Sequence, residues 1–390
     1  MGKLCVKLPP FSPDYSGVCS AIFELNCVAV LHDASGCTGN YTGYDEPRWY
    51  GSKAAIFCSG LREIDAILGD DEKLIQKVLK AAESLNPELI VLIGSPVPMV
   101  IGTDMVGIAA DIESRTGIPC LGFDTTGTKY YSDGIAQTCI SLMQRFTKTA
   151  ERKIANGVNL LGVTPLDFSS NATNDLKALI KENGFELVCS FCDGLTMQAI
   201  ENAAQASLNL VVSQSGLPPA RYMEKRFGIP YLVQIPIGNK AKEDWLSAIR
   251  DSLREQTTVI PTATGGKADT LVLGDEILCR SLQLALEADY GITADCGCLF
   301  GIESELVGEN ILNLNDEQKI DAAINSRKYR RIIGDPMLRM LLQPETKVEY
   351  FDLPSYCISS KMSGMAPVSC IGEKFQSFFD SRAEHHTDQQ

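Results

Sequence analysis

Short apolar runs rich in Val, Ile and Leu alternate with longer amphipathic stretches along the whole chain, and this alternation most restricts what it can fold into. Runs of about four to eight apolar residues bounded by turn formers read as buried strands, and stretches with a helical apolar period read as helices. The strand-like runs are CVAVLH (27–32), KAAIF (53–57), ELIVLIGS (88–95), IPCLGFD (118–124), VNLLGVT (158–164), FELVCSF (185–191), LNLVVSQ (208–214), IPYLVQIPI (229–237), DTLVLG (269–274), YRRIIGD (329–335) and KVEYFDLP (347–354). Helix-like stretches lie between them, such as 70–85, 172–184, 218–228 and 276–291, several of them ending in Gly. The pattern predicts an α/β protein of βαβ units, with parallel sheets flanked by helices on both faces.

A chain of 390 residues exceeds one ordinary core. The charged stretch KTAERKIANG (148–157) and the turn-rich TATGGKAD (262–269) divide it into three α/β lobes, 1–150, 151–265 and 266–380, followed by a polar tail over 381–390.

The net charge of -14, with no basic stripe interleaved with aromatics, argues against a nucleic-acid partner. Charged or polar residues interrupt every apolar stretch before membrane-spanning length, and the first residues lack a signal-peptide core, so a cytoplasmic protein is expected. In a reducing compartment the fourteen cysteines point to metal ligation or redox chemistry more than to disulfides. Cys27, Cys120, Cys139 and Cys279 lie in apolar stretches and read as small core residues. Of the three histidines only His32 lies in the body, so any metal site must be dominated by sulfur.

Ligands in open α/β sheets gather beyond the carboxyl ends of strands. Two cysteines fall there. Cys37 follows the strand ending at His32, with Gly36 and Gly39 beside it, and Cys58 follows KAAIF just ahead of Ser59 and a helical pattern. Nearby backbone N–H groups favour the thiolate that ligates iron, and flanking glycines let the backbone approach an inorganic core. The same positions also suit a small buried residue, the ordinary role of cysteine in a core. Taken alone, the residues leave both roles open.

The segments LHDASGCTGN and CSGLREIDAILGDDEKLI, in this order, resemble the N-terminal lobe of nitrogenase component 1 proteins. The resemblance continues through NPELIVLIGSPVPMVIGTDM, ENAAQASLNLVVSQ and ARYMEKRFGIPYL, covering most of residues 10–240. It implies three Rossmann-like lobes with a cleft between them, and an iron-sulfur cluster at a subunit interface. Cys37 matches the middle ligand of that family's cluster. Cys19 matches the first, across a shorter spacer, and the third falls at or beside Pro96, where no cysteine stands. Cys58 is the available replacement. Two chains each giving Cys37 and Cys58 would supply the four thiolates of a 4Fe-4S cubane.

The family's catalytic cofactor is held by a cysteine after a second-lobe strand, where this chain has Ser213, and by a third-lobe histidine that this chain lacks. The resemblance therefore implies no iron-molybdenum type cofactor and no dinitrogen reduction. It implies instead a nitrogenase-like redox subunit. This subunit would form a homodimer, or a heteromer with a related subunit. It would receive electrons from an ATP-dependent iron-protein reductase and act on a small molecule in the interlobe cleft. No G-x-x-x-x-G-K-[ST] loop occurs, so nucleotide hydrolysis falls to that partner. A cofactor-assembly scaffold of the same fold, and a non-enzymatic binding protein for a metal chelate, are the alternatives.

Other groupings carry weaker signals. Cys189-Ser-Phe-Cys192 is a CxxC at a strand end, and Cys296-Gly-Cys298 reads as a CxC on a loop, with Cys357 and Cys370 in the same lobe. The segment TGYDEPRWYG, containing Asp45, Glu46, Arg48 and Trp49, reads as an ordered turn. Its place is either at a pocket or interface, or in solvent.

Overall fold

The computed structural model describes residues 5–306, 308–362, 364–365 and 368–383. The polar tail expected over 381–390, with His385 and His386, lies outside the described residues from 384 onward.

The first sheet has four parallel strands, β1 (Cys27–Leu31), β2 (Ala55–Cys58), β3 (Leu89–Ile93) and β4 (Cys120–Phe123), in the order β2-β1-β3-β4. Central strands β1 (CVAVL) and β3 (LIVLI) are buried along their whole length. Such continuous apolar runs are what a strand covered on both faces requires. The helices are α1 (Asp14–Ile22), α2 (Gly36–Asn40), α3 (Glu63–Leu68), α4 (Asp71–Leu85), α5 (Pro96–Val100), α6 (Met105–Thr116) and α7 (Tyr131–Phe146). In α4, the Asp70 side chain caps the start by accepting Lys73 N–H, and Asn86 ends the helix in the left-handed conformation. Its Leu74, Ile75, Val78 and Ala82 pack with Val28, Val30, Ile90 and Ile108 in one apolar cluster. All nine residues of α1 are buried. The helix crosses α7 at two glycines: a Cβ on Gly17 would lie 2.0 Å from Tyr131 O, and one on Gly134 would lie 1.9 Å from Asp14 O.

The second sheet repeats the order, β6-β5-β7-β8, with β5 (Gly157–Leu161), β6 (Glu186–Ser190), β7 (Leu208–Val211) and β8 (Tyr231–Val233), all parallel. Along this part of the chain run α8 (Ser170–Glu182), α9 (Met197–Asn202), α10 (Leu217–Phe227) and α11 (Asn239–Glu255), of which α9 falls almost wholly in the segment Phe191–Glu201. The third sheet has five parallel strands, β9 (Thr270–Gly274), β10 (Ala294–Cys298), β11 (Ile311–Asn313), β12 (Arg331–Gly334) and β13 (Glu349–Asp352), in the order β11-β10-β9-β12-β13. Helices α12 (Glu276–Ala285), α13 (Glu317–Ile324), α14 (Tyr356–Ser359) and α15 (Lys374–Ala383) accompany it. Both boundary segments, 148–156 and 262–269, run without helix or strand.

The chain separates into two compact units. One holds the second and third sheets, and the other comprises Ser12–Thr147 with Phe191–Glu201. In every sheet the strand order reverses between two inner strands, β1 and β3, β5 and β7, or β9 and β12. Such reversals open a crevice where ligands bind in open α/β sheets. No helix among the described residues is long and apolar enough to cross a membrane.

One expectation is corrected. Cys296 and Cys298 are not on a loop but on the fully buried strand β10, whose mixed sequence ADCGC hid its strand character. Burial pushes both thiols up, so they are neutral core groups.

Candidate functional site

The crevice of the first sheet opens between the ends of β1 and β3, and Cys37 lies in it. The chain leaves β1 through His32 and Asp33 and turns into α2, which carries Cys37. Ser95, following β3, donates its hydroxyl to His32 O at 2.8 Å, which ties the two strand ends together. The Cys37 thiol is half-buried and hydrogen-bonds with the side chains of Tyr15, from α1, and Ser95. Burial raises its pKa, the nearby Asp33 carboxylate adds to the rise, and the Tyr15 and Ser95 bonds oppose it. A Cβ built on Gly36 or Gly39 meets nothing within 4 Å, so the backbone beside Cys37 borders open space.

Cys58 ends β2, in register with Leu31 of β1. Its half-buried thiol donates to Asp33 O at 3.3 Å and accepts Gly60 N–H at 3.4 Å. Asp33 therefore serves both cysteines: its carbonyl takes the Cys58 thiol, and its carboxylate accepts Thr38 N–H at 3.1 Å in the helix of Cys37. Ser59 Oγ accepts Asp33 N–H at 3.0 Å and lies 2.9 Å from His32 Nδ1. Burial lowers the His32 pKa and keeps this ring neutral.

Cys19 is placed differently. It is fully buried within α1, and burial, with Cys27, Glu46 and Asp45 nearby, holds its thiol well above the ordinary range. Among the described residues no three His, Cys, Asp or Glu side chains converge as a metal site would require. The structure thus gathers Cys37 and Cys58 around Asp33, and Cys19 does not complete a group of three with them.

The segment TGYDEPRWYG, expected as a turn, starts within the helical turn Tyr41–Asp45, with Tyr44 and Tyr50 exposed and its two carboxylates buried. Glu46 is fully buried and pairs with Arg48 Nε at 2.9 Å, and Arg48 also donates to Ser20 O and Cys192 O, both at 3.1 Å. Asp45 is buried too, accepting Ser16 Oγ–H at 2.6 Å. Exposed apolar side chains lie on the segments that follow β1, β2 and β3. Tyr44 and Tyr50 follow α2, and Ile67 and Leu68 of α3 follow β2 with 71% and 70% exposure. Val97 and Val100 of α5 follow β3, the latter 87% exposed.

In the other unit, Ser213 follows β7 and donates to Gly162 O at 2.8 Å, with Ser215 Oγ at 2.7 Å. A small cavity of about 50 Å³ lies between the second and third sheets, walled by Phe168, Leu278 and Leu353, with Asp167, Ser169, Ser355 and Cys370 among its lining. Behind it Asp275 caps α12 and accepts Gln214 N–H at 2.9 Å; burial, with the nearby Asp167 charge, has its carboxyl pushed up to about 8.

Comparison with known proteins decides the lineage: the model of the family described as "Nitrogenase component 1 type Oxidoreductase" matches residues 17–294. The chain belongs to this family. As a component 1 type protein it is 29% identical over 226 residues to the nitrogenase iron-molybdenum cofactor biosynthesis protein NifE of Clostridium pasteurianum, covering 56% of this chain and 47% of that relative. It is 25% identical over 255 residues to a subunit of the light-independent protochlorophyllide reductase of Nostoc punctiforme, covering 62% and 48%. The chain spans about half the length of the curated relatives it matches. The structure titled "Nitrogenase Cp1 at pH 6.5" superposes with a TM-score of 0.71 at 14% identity over 99% of this chain and 95% of that one, which establishes the component 1 fold of three parallel sheets flanked by helices.

Sequence reasoning found Cys37 and Cys58 but missed Asp33, Tyr15 and Ser95, which organise the thiols. Asp33 was visible as the carboxylate between a strand and Cys37. Tyr15 and Ser95 come from distant segments and carried no signal.

Proposed function

We propose that this component 1 type chain is an iron-sulfur redox subunit of a nitrogenase-like complex. The observation that carries this is the pair of half-buried thiols, Cys37 and Cys58, disposed about Asp33 at the carboxyl edge of the first sheet. Sulfur donors beside open glycines and a donating N–H suit iron. Two thiols per chain make half of a cubane's ligand set, and the exposed rim of Ile67, Leu68 and Val100 suits burial against a second component 1 subunit. Cys37, Cys58 and the same pair from a second chain, identical or related, would hold a 4Fe-4S cluster, whose chemistry is one-electron relay. Asp33 and Tyr15 set how readily Cys37 gives up its proton to metal.

In this proposal the electrons come from an ATP-dependent iron-protein reductase, and a small-molecule substrate occupies the cavity between the second and third sheets. Ser213, spent on Gly162 and Ser215, stands where the resemblance puts the family's cofactor-holding cysteine, which supports a substrate other than dinitrogen. Thiolate ligation suits a reducing cytoplasm. The similarity to a cofactor biosynthesis protein favours a second reading, an assembly scaffold that holds a cluster without turnover.

The test is anaerobic purification with iron and acid-labile sulfide analysis. Roughly two irons per chain are expected, and most should be lost in Cys37→Ser and in Cys58→Ser. Full iron retention in both variants would sink the ligand assignment. A cluster that is reduced by an ATP-driven partner but never discharged by any substrate would favour the scaffold.

A further inference from the structure

The motif Cys189-Ser-Phe-Cys192 suggests that its two cysteines act together, yet the structure puts a third sulfur against Cys192. Cys192 Sγ lies 3.7 Å from Cys139 Sγ, a thiol on α7 that is 53 residues away in sequence. Both belong to the unit of the first sheet, whereas Cys189 lies within β6 and belongs with the second sheet. Cys192 also has φ of 74°, in the left-handed region that residues bearing a Cβ seldom adopt. Such conformations persist only where the surroundings fix them, and they concentrate at functional positions. Here the surroundings are explicit. Arg48 Nη1 donates to Cys192 O at 3.1 Å, Leu195 N–H donates to Glu24 Oε2 at 2.8 Å, and Thr147 Oγ donates to Ile200 O at 2.8 Å. Three polar anchors therefore hold the segment Phe191–Glu201 in place, and the sulfur contact is formed inside that frame.

We propose that Cys139 and Cys192, not the two cysteines of the CxxC, are a disulfide-forming pair of this chain. Closing the bond requires the sulfurs to approach by roughly 1.7 Å, to a disulfide length near 2.05 Å, which side-chain rotation at two neighbouring thiols supplies. With a peroxide as oxidant, one oxygen passes to the Cys192 sulfur, giving a sulfenic acid and one water. The Cys139 thiol then displaces the sulfenic oxygen as a second water and forms the S–S bond. Two thiols and one peroxide thus yield one disulfide and two waters. The bond pins Phe191–Glu201 to α7, at a residue whose carbonyl is held by Arg48, and so bears on the loop that follows Cys37.

The test uses the full wild-type chain, treated anaerobically with graded hydrogen peroxide, alkylated under denaturing conditions and mapped by peptide mass spectrometry. A Cys139–Cys192 cross-linked peptide should appear while Cys189 is still fully alkylated, and dithiothreitol should remove it. In Cys139→Ser, Cys192 should instead be trapped by dimedone as the sulfenic acid. Wild-type protein alone decides the matter if that variant fails to fold. A Cys189–Cys192 link, or full alkylation of Cys139 and Cys192 at peroxide levels that oxidise Cys37 and Cys58, would overturn the assignment.

Discussion

Replacing Gly134 by Ala tests how the helix that carries Tyr15 is held against its neighbour. The new methyl would lie 1.9 Å from Asp14 O, 2.8 Å from Asp14 C and 3.0 Å from Val18 N, all backbone atoms that cannot rotate away. To bring the nearest contact to 3.0 Å, α1 or α7 must retreat by roughly 1.1 Å, and α1 is buried along its whole length, so the shift propagates into packed surroundings. Overpacking of this kind costs about 1–3 kcal/mol. For a cooperative unit of about 150 residues this corresponds to a fall in Tm of roughly 2–12 °C. Thermal unfolding followed by circular dichroism measures it. Gly43→Ala is the control, since a Cβ there meets nothing within 4 Å and should leave Tm within about 1 °C. Equal melting of the two variants would refute the claim that the glycine crossing is tight.

Arg48→Met should cost roughly 3–5 kcal/mol in urea unfolding by stranding the Glu46 carboxylate, and adding Glu46→Gln should recover part of the loss. Burial is the larger cause of the raised Cys37 thiol and the Asp33 charge adds to it, so Asp33→Asn should speed alkylation of Cys37 near pH 8; an unchanged rate would exclude a contribution from Asp33. For Asp275 the folded pKa of about 8 lies above its ordinary 3.8, so the native state holds a proton that the unfolded chain releases. Its stabilising contribution is complete below pH 3.8 and is lost as pH rises through about 8, so Asp275→Asn should flatten the fall in stability between pH 5 and 8 in urea titrations.

Strands were legible wherever apolar runs were continuous, as in LIVLI of β3, because a parallel strand buried on both faces needs no alternation. Strands β10 and β11 were not, since ADCGC and ILN are short or mixed and are made strands by pairing with β9 and with each other. The positions of Cys37 and Cys58 followed from strand ends, a local property. The pairing of Cys192 with Cys139, the burial of Cys19 and the role of Ser95 depend on contacts between distant segments, which no spacing encodes.

The reversal of strand order recurs in each of the three sheets, so one chain builds the same kind of socket three times and furnishes each with a different donor. Sulfur stands at the first with Cys37, hydroxyl at the second with Ser213, and carboxyl at the third with Asp275 and Asp335. The residue at a strand end can thus be exchanged while the framework beneath it stays put, which gives lineages sharing this framework a route to new chemistry by point substitution at the socket.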